Sequence, residues 1–192
     1  MIKIKKNILI FISLFLLISC QSSTTTKEVI FDNSVMAKIN FHTEKININN
    51  NYDMKLADSY IDYTIEKPPI FYLNGWIEEN ISYFGSENLL EINILQASLS
   101  KIERKIENNK SYVNQNEFYY ELIYQIEFKI LDDKINVLAK ILSEVKRSTT
   151  SSNFISLNEE QQIIDNLILN SLTDLSFKTE ELVQKHMYQY ML

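Results

Sequence analysis

Between Leu89 and Ser148 apolar residues recur at every second position, the period of a strand that buries one face. Leu90, Ile92 and Ile94 open the pattern. It is clearest where Leu122, Tyr124, Ile126, Phe128 and Ile130 alternate with Ile123, Gln125, Glu127 and Lys129. Val137, Ala139, Ile141 and Val145 continue it beyond Asp132-Asp133-Lys134. The spacing predicts a strand over Leu89 to Ile102 and then an antiparallel hairpin of two long strands closed by the acidic turn. An earlier and shorter alternation sets Ala37, Ile39, Phe41 and Thr43 against Lys38, Asn40 and His42, and Ile46 and Ile48 resume it after a bend. That predicts a first strand or strand pair. The stretch from Asn47 to Lys67 has little clean period and reads as mostly irregular.

Two stretches change to the helical period. Pro68-Pro69 opens the first, since proline is tolerated in a helix's first turn. Leu73, Trp76, Ile77, Ile81 and Phe84 follow at helical spacing, and Gly85 stands where a left-handed C-terminal cap is expected. Gly75, inside that helix, costs about 1 kcal/mol relative to alanine. The second helix starts after Ser156, which with Glu159 has the spacing of a capping box. From Ile164, Leu167 and Ile168 through Leu172, Leu175, Leu182 and Val183 its apolar residues share one face, together with Ser171, Thr179, His186, Met187 and Tyr190. Glu159 and Glu160 at its start and Lys185 near its end suit the helix dipole. Its length leaves room for a kink between Leu175 and Lys178. These elements predict an α+β fold of two layers, an antiparallel sheet of about four strands with two helices on one face. Two glycines and two prolines in 192 residues leave few tight turns, which favours long elements over a many-turned sandwich.

The amino-terminal part follows a different pattern. Lys3, Lys5 and Lys6 precede an apolar run from Ile8 to Ile18 broken only by Ser13, then the stretch "LFLLISCQSSTTT" passes from grease to a polar tail. Eleven residues suit the core of an export signal and fall well short of the roughly 20 that span a bilayer. Leu17, Ile18, Ser19 and Cys20 resemble the lipobox of bacterial lipoproteins. That resemblance implies a diacylglycerol thioether on Cys20, cleavage just before it, and a further acyl chain such as palmitate on the new amino terminus. Cys20 is the only cysteine, so an internal disulfide is excluded. Residues 1–19 are then a lipoprotein signal peptide, 20–34 the lipidated cysteine with a Ser/Thr-rich tether, and 35–192 a single domain. Removing 19 of 192 residues leaves 173, enough for one real core. It also removes three lysines, moving the formal charge from −6 to −9. So acidic a chain argues against nucleic acid or an electrostatic grip on anionic lipid, and makes the acyl group the anchor.

Catalytic chemistry has little to stand on. Neither His42 nor His186 has a metal-ligating neighbour at strand or helix spacing, and there is no nucleophile elbow, dinucleotide fingerprint or phosphate-cradling glycine loop. The carboxylate pairs Glu78-Glu79, Asp132-Asp133, Glu159-Glu160 and Glu180-Glu181 fall on turns or polar helix faces, where solvation is the ordinary role. Trp76, Tyr83 and Phe84, with Phe118, Tyr119, Tyr120 and Tyr124, read first as core. A slight splay of the helices over the sheet would let a lipid chain in among them. No catalytic residue, cofactor or metal is expected.

From Ala37 onward the chain resembles a family of small alphaproteobacterial lipoproteins. The resemblance runs through the early alternating strand, Pro68-Pro69 with Trp76 and Gly85, and "QASL" at Gln96 to Leu99. It continues with Tyr120, "SLNEEQ" at Ser156 to Gln161 and the terminal helix. The element order is similar to that of the ABC-type transport auxiliary lipoproteins and, more distantly, the lipopolysaccharide-assembly lipoprotein. It implies a non-enzymatic partner of envelope transport machinery, held to membrane lipid through Cys20 and facing the periplasm. An anchored hydrolase and a purely structural envelope lipoprotein are the alternatives. Gln21 after the cysteine favours the outer over the inner membrane by the sorting rule of enteric bacteria. Mass spectrometry of the mature protein is expected to find an acylated amino-terminal Cys20, and Cys20→Ala to accumulate as uncleaved precursor. Cleavage of that variant at another site would defeat the assignment.

Overall fold

The computed structural model describes residues 29–105 and 116–192. Three long strands form its centre: β4 (Leu89–Lys105), β5 (Asn116–Leu131) and β6 (Val137–Ser152), paired antiparallel in sequence order. Every second residue of β5 from Tyr120 to Ile130 is fully buried. In β4 the buried set starts as Leu90, Ile92 and Ile94, then shifts to Ala97 and Leu99. A bulge between Ile94 and Gln96 makes the shift, since one extra residue turns the following side chains to the other face. The β5–β6 turn is held by Asp132, whose Oδ1 accepts from the backbone N–H groups of Lys134 and Asn136. Ile135 takes the left-handed conformation there, φ 66°, an unfavourable one for a β-branched residue.

The sheet is mixed, which corrects the expectation of a purely antiparallel one. β2 (Lys45–Asn50) pairs parallel with β4, giving the order β2-β4-β5-β6. β1 (Ile39–Phe41) pairs parallel with β3 (Ile81–Tyr83) in a separate two-stranded sheet. A parallel pair needs a long crossover, and one connection containing helix α1 (Pro69–Asn80) serves both. The α1 helix therefore ends at Asn80, and Ile81 belongs to a strand. The cap residue is Ile81, and Phe84 lies beyond the strand. Gly85 is not a left-handed cap, as no glycine has positive φ. What it supplies is room: a Cβ there would stand 2.9 Å from the backbone nitrogen of Thr43. The two chain runs cross so closely at this bend that only glycine fits.

Helix α2 (Leu157–His186) is continuous, with no break between Leu175 and Lys178. The expected capping box is formed: Ser156 Oγ accepts from Glu159 N–H while the Glu159 carboxylate accepts from Ser156 N–H. Both helices pack on the apolar face of the sheet. Thr179 Oγ1 and Ser143 Oγ on β6 are hydrogen-bonded to each other, and at the other end Lys101 and the Tyr120 hydroxyl both bind the Glu160 carboxylate. The buried Tyr124 hydroxyl donates to the Pro69 carbonyl at 3.0 Å and ties α1 to the central strand. The C-terminal residues close against β1, with His42 N–H donating to the Tyr190 carbonyl and Leu192 N–H to that of Asn40. Leu172 is wholly buried and Leu182 half-buried. Truncating Leu172 to alanine is expected to cost about 2 to 5 kcal/mol, Leu182→Ala less, and the exposed Glu181→Ala under about 0.5 kcal/mol. Denaturant unfolding with equal losses at all three would place the wrong face of α2 in the core.

Candidate functional site

Helix α1 has two unlike faces. Leu73, Trp76 and Ile77 are buried in the core, and Asn80 is buried with its amide on the carbonyls of Asn33, Met36 and Ala37. The outward stripe carries Phe71, Gly75, Glu78 and Glu79, whose spacing of four, seven and eight residues puts them on one side. Against that stripe runs the chain segment 29–33. The Phe31 ring stacks on Tyr72 with centroids 3.9 Å apart, and Phe71 meets Tyr72 edge-on at 5.5 Å. Asn80 anchors the segment by donating from Nδ2 to the Asn33 carbonyl at 2.8 Å. A groove of about 840 Å³ is left between segment and helix. Ile30 and Phe31 form one wall, Gly75 lies on the floor, Lys67 is at the start of the helix and Glu78 and Glu79 near its end. Asp165 of α2 contributes a third carboxylate. Burial, and then the negative charges of Asp165 and Glu66, push the Tyr72 hydroxyl above its ordinary pKa.

A second polar feature lies under the run that follows β2. Tyr52 and Asp62 are both buried, and the Tyr52 hydroxyl donates to Asp62 Oδ2. Burial first, then that hydrogen bond, raise the tyrosine pKa further. Asp62 Oδ1 has no hydrogen-bond partner among the described residues. This pair pins the irregular segment beside β4, where Ile61 N–H donates to the Leu99 carbonyl.

A third is the open face of the sheet, where one polar ribbon crosses all four strands. Asn49 of β2 donates to Asn93 of β4, Asn93 donates to Glu127 of β5, and Glu127 pairs with Lys140 of β6. Lys129 joins both Glu127, at 2.7 Å, and Glu91, at 3.2 Å.

The residues singled out in the sequence are spread widely. Leu17, Ile18, Ser19 and Cys20 lie outside the described residues. His42 is exposed on β1's flank as its alternation implied; His186 is also exposed, not half-buried on the apolar face of α2. No hydrogen bond or ion pair joins either to a serine or a carboxylate among the described residues. Trp76, Tyr120 and Tyr124 are core. Tyr83 and Phe84 are exposed, and Phe118 and Tyr119 carry the cations of Lys101 and Arg104 over their rings. The space found by α1 is not between helices and sheet but on the helix's outer side. Sequence reading missed its aromatic wall of Phe31, Phe71 and Tyr72; the one signal was the interior Gly75. Among the described residues no group of three or more His, Cys, Asp or Glu could hold a metal, and no helix is long and apolar enough to cross a membrane.

No family model matches the chain, and no curated protein matches it. Among solved structures it is similar to a minor lipoprotein from Acinetobacter baumannii, at 11% identity over 76% of this chain and 93% of that one, with a TM-score of 0.38. It is also similar to a neuraminyllactose-binding hemagglutinin homolog from Helicobacter pylori, at 10% identity over 84% and 98%, with a TM-score of 0.43. Both scores lie below the level at which a shared fold can be asserted.

The ribbon predicts a pH response. Burial alone would raise the Glu127 carboxyl, but hydrogen bonds from Lys129, Lys140 and Asn93 outweigh it and hold the pKa below its ordinary 4.5. A carboxylate lowered in this way stabilises the fold above its unfolded pKa, and that contribution is lost as pH falls through the folded value. Glu127→Gln is expected to lower stability at pH 7 by about 1 to 2 kcal/mol, and the gap to the unsubstituted protein should narrow as the pH falls below 4.5 and through the lowered folded value. Unfolding curves at a series of pH values check it; a gap that persists at low pH would assign the loss to packing.

Proposed function

We propose that this chain is a lipid-anchored lipoprotein of the cell envelope that acts by binding, as an accessory to envelope assembly or lipid transport. The observation that carries this reading is the lipobox-like Leu17-Ile18-Ser19-Cys20 closing an apolar run of signal-peptide length. Eight residues separate Cys20 from Val29, where the described domain begins. Nine extended steps reach at most about 30 Å, so a lipid on Cys20 keeps the α1 groove near a bilayer surface. Confinement of that kind raises the effective concentration of any partner in the same membrane, and weak contacts gain from it. Both histidines are exposed, and among the described residues no serine or acid is bonded to either, which favours binding over the hydrolase alternative. Gln21 favours the outer membrane.

Crosslinking in intact cells is expected to capture an envelope transport or assembly protein, and loss of the gene to raise permeability to large or detergent-like compounds. His42→Ala and His186→Ala should both restore the barrier in the deletion strain. A folded, abundant histidine variant that fails to complement would replace this reading with the hydrolase.

A further inference from the structure

The turn between β5 and β6 carries a side chain for which the fold has no use. Ile135 stands at φ 66°, a left-handed conformation that strains a β-branched residue and that glycine or asparagine adopts freely. Burial does not offset the strain, since Ile135 is 77% exposed. Nor does the turn need isoleucine. The Asp132 carboxylate accepts from the backbone N–H groups of Lys134 and Asn136, and Ile135 contributes only its backbone N–H, to the Asp132 carbonyl. Asn88, the other non-glycine residue with positive φ among the described residues, is of a type that tolerates it. An apolar side chain that is both strained and exposed points to a contact outside the chain.

Ile135 has exposed apolar company at its end of the molecule. Val137 and Leu138 follow it into β6, and each is about half-exposed. Leu89 of β4 stands opposite Leu131 of β5, so the bend before β4 lies at this end too, with Phe84 79% and Tyr83 45% exposed. Arg147 pairs with Asp174 and Ser143 with Thr179, so α2 runs antiparallel to β6 and finishes over the start of that strand. Tyr188, just past the helix, is 78% exposed. The charges here are mixed, with Lys134 and Lys185 beside Glu87 and Asp133, and select neither an anionic nor a cationic partner.

The length and route of the anchor say what meets this end. Asn33 is held by Asn80, and β3 runs from Ile81 to Tyr83, so roughly 10 Å of strand separates the entering segment from Phe84. Nine extended steps from Cys20 to Val29 reach at most about 30 Å, which leaves this end within reach of the bilayer. Apolar side chains with tyrosines among them suit the boundary of a bilayer, where a ring can sink and its hydroxyl stay wet. A hairpin turn is convex, which suits a yielding surface better than a small ligand. We propose that this end of the domain, led by Ile135 and Phe84, dips into the surface of the bilayer that holds the lipid on Cys20. The inference rests on the anchor proposed above and adds an orientation to it: the end of β5 and the start of β4 face the lipid, and the start of α2 faces away.

The test uses the mature acylated protein in phosphatidylcholine vesicles. Ile135→Cys, Phe84→Cys and Leu157→Cys each carry an environment-sensitive fluorophore, read against quenchers on the lipid acyl chains; the Cys20 sulfur, held in its thioether, takes no label. Quenching is expected at Ile135 and Phe84, and not at Leu157, which is as exposed but begins α2. Ile135→Asn should relieve the turn and raise the melting temperature by roughly 2 to 4 °C. In that background quenching at Phe84 should fall to the level at Leu157, a loss that unfolding does not explain. In a protein that floats with the vesicles, no quenching at Ile135, equal quenching at all three sites, or Phe84 quenching unchanged by Ile135→Asn would each overturn the proposal. So would a lower melting temperature for Ile135→Asn, which would assign the side chain to the fold. A protein that does not float defeats the anchor and the proposal with it, so the two failures are told apart.

Discussion

The central strand β5 presents six fully buried side chains on one face, Tyr120 to Ile130, while Glu121, Glu127 and Lys129 stand on the other. A sheet so divided has one side that must leave water and one that can stay in it. Covering the apolar side dictates where both helices go. The 30 residues of α2 lie along β6 and β5, and α1 fills the remaining area over β4. The bonds that lock the helices come from the same face: Tyr124 to Pro69, Ser143 to Thr179, and Lys101 with Tyr120 to Glu160. The bulge at Ile94 and Gln96 is needed because β4 runs 17 residues and must keep its apolar set inward along that length.

The opposite face is organised by charge. Asn49, Asn93, Glu127 and Lys140 link the four strands in one polar ribbon, and Glu91 and Lys129 complete it. Strand β2 belongs to the sheet through its parallel ladder with β4 and through this ribbon, since its side chains are half-buried at most. The ribbon therefore holds the strand that the apolar core reaches least.

The groove on α1 follows from how the helix is placed. Once its inner face is committed to the sheet, its outer stripe is free, and the segment 29–33 crosses that stripe without filling it. An anchor attached through Cys20 would pull on this same segment. Phe31 stacked on Tyr72 and Asn33 held by Asn80 are the contacts that would carry the load from tether to domain.

Period-2 and period-3.6 patterns were enough to place β4, β5, β6 and α2, because each buries one face over many residues and so repeats its signal. Ser156 with Glu159 marked the start of α2 for the same local reason. The lipobox-like pattern ending in Cys20 is read without any fold, since it is a linear motif. The parallel pairs β1–β3 and β2–β4 were not legible. Partners some 42 to 44 residues apart leave no turn signal between them, and strands of three residues are too short to show a period. Gly85 was visible as a glycine, but whether it served a left-handed cap or a close crossing depends on what stands opposite, and Thr43 arrives only through the tertiary fold. The groove is the same kind of case. Phe31, Tyr72, Gly75 and Asp165 come from three separated parts of the chain, and each alone is an ordinary residue. Only packing brings an aromatic wall, an empty floor and a set of carboxylates to one place.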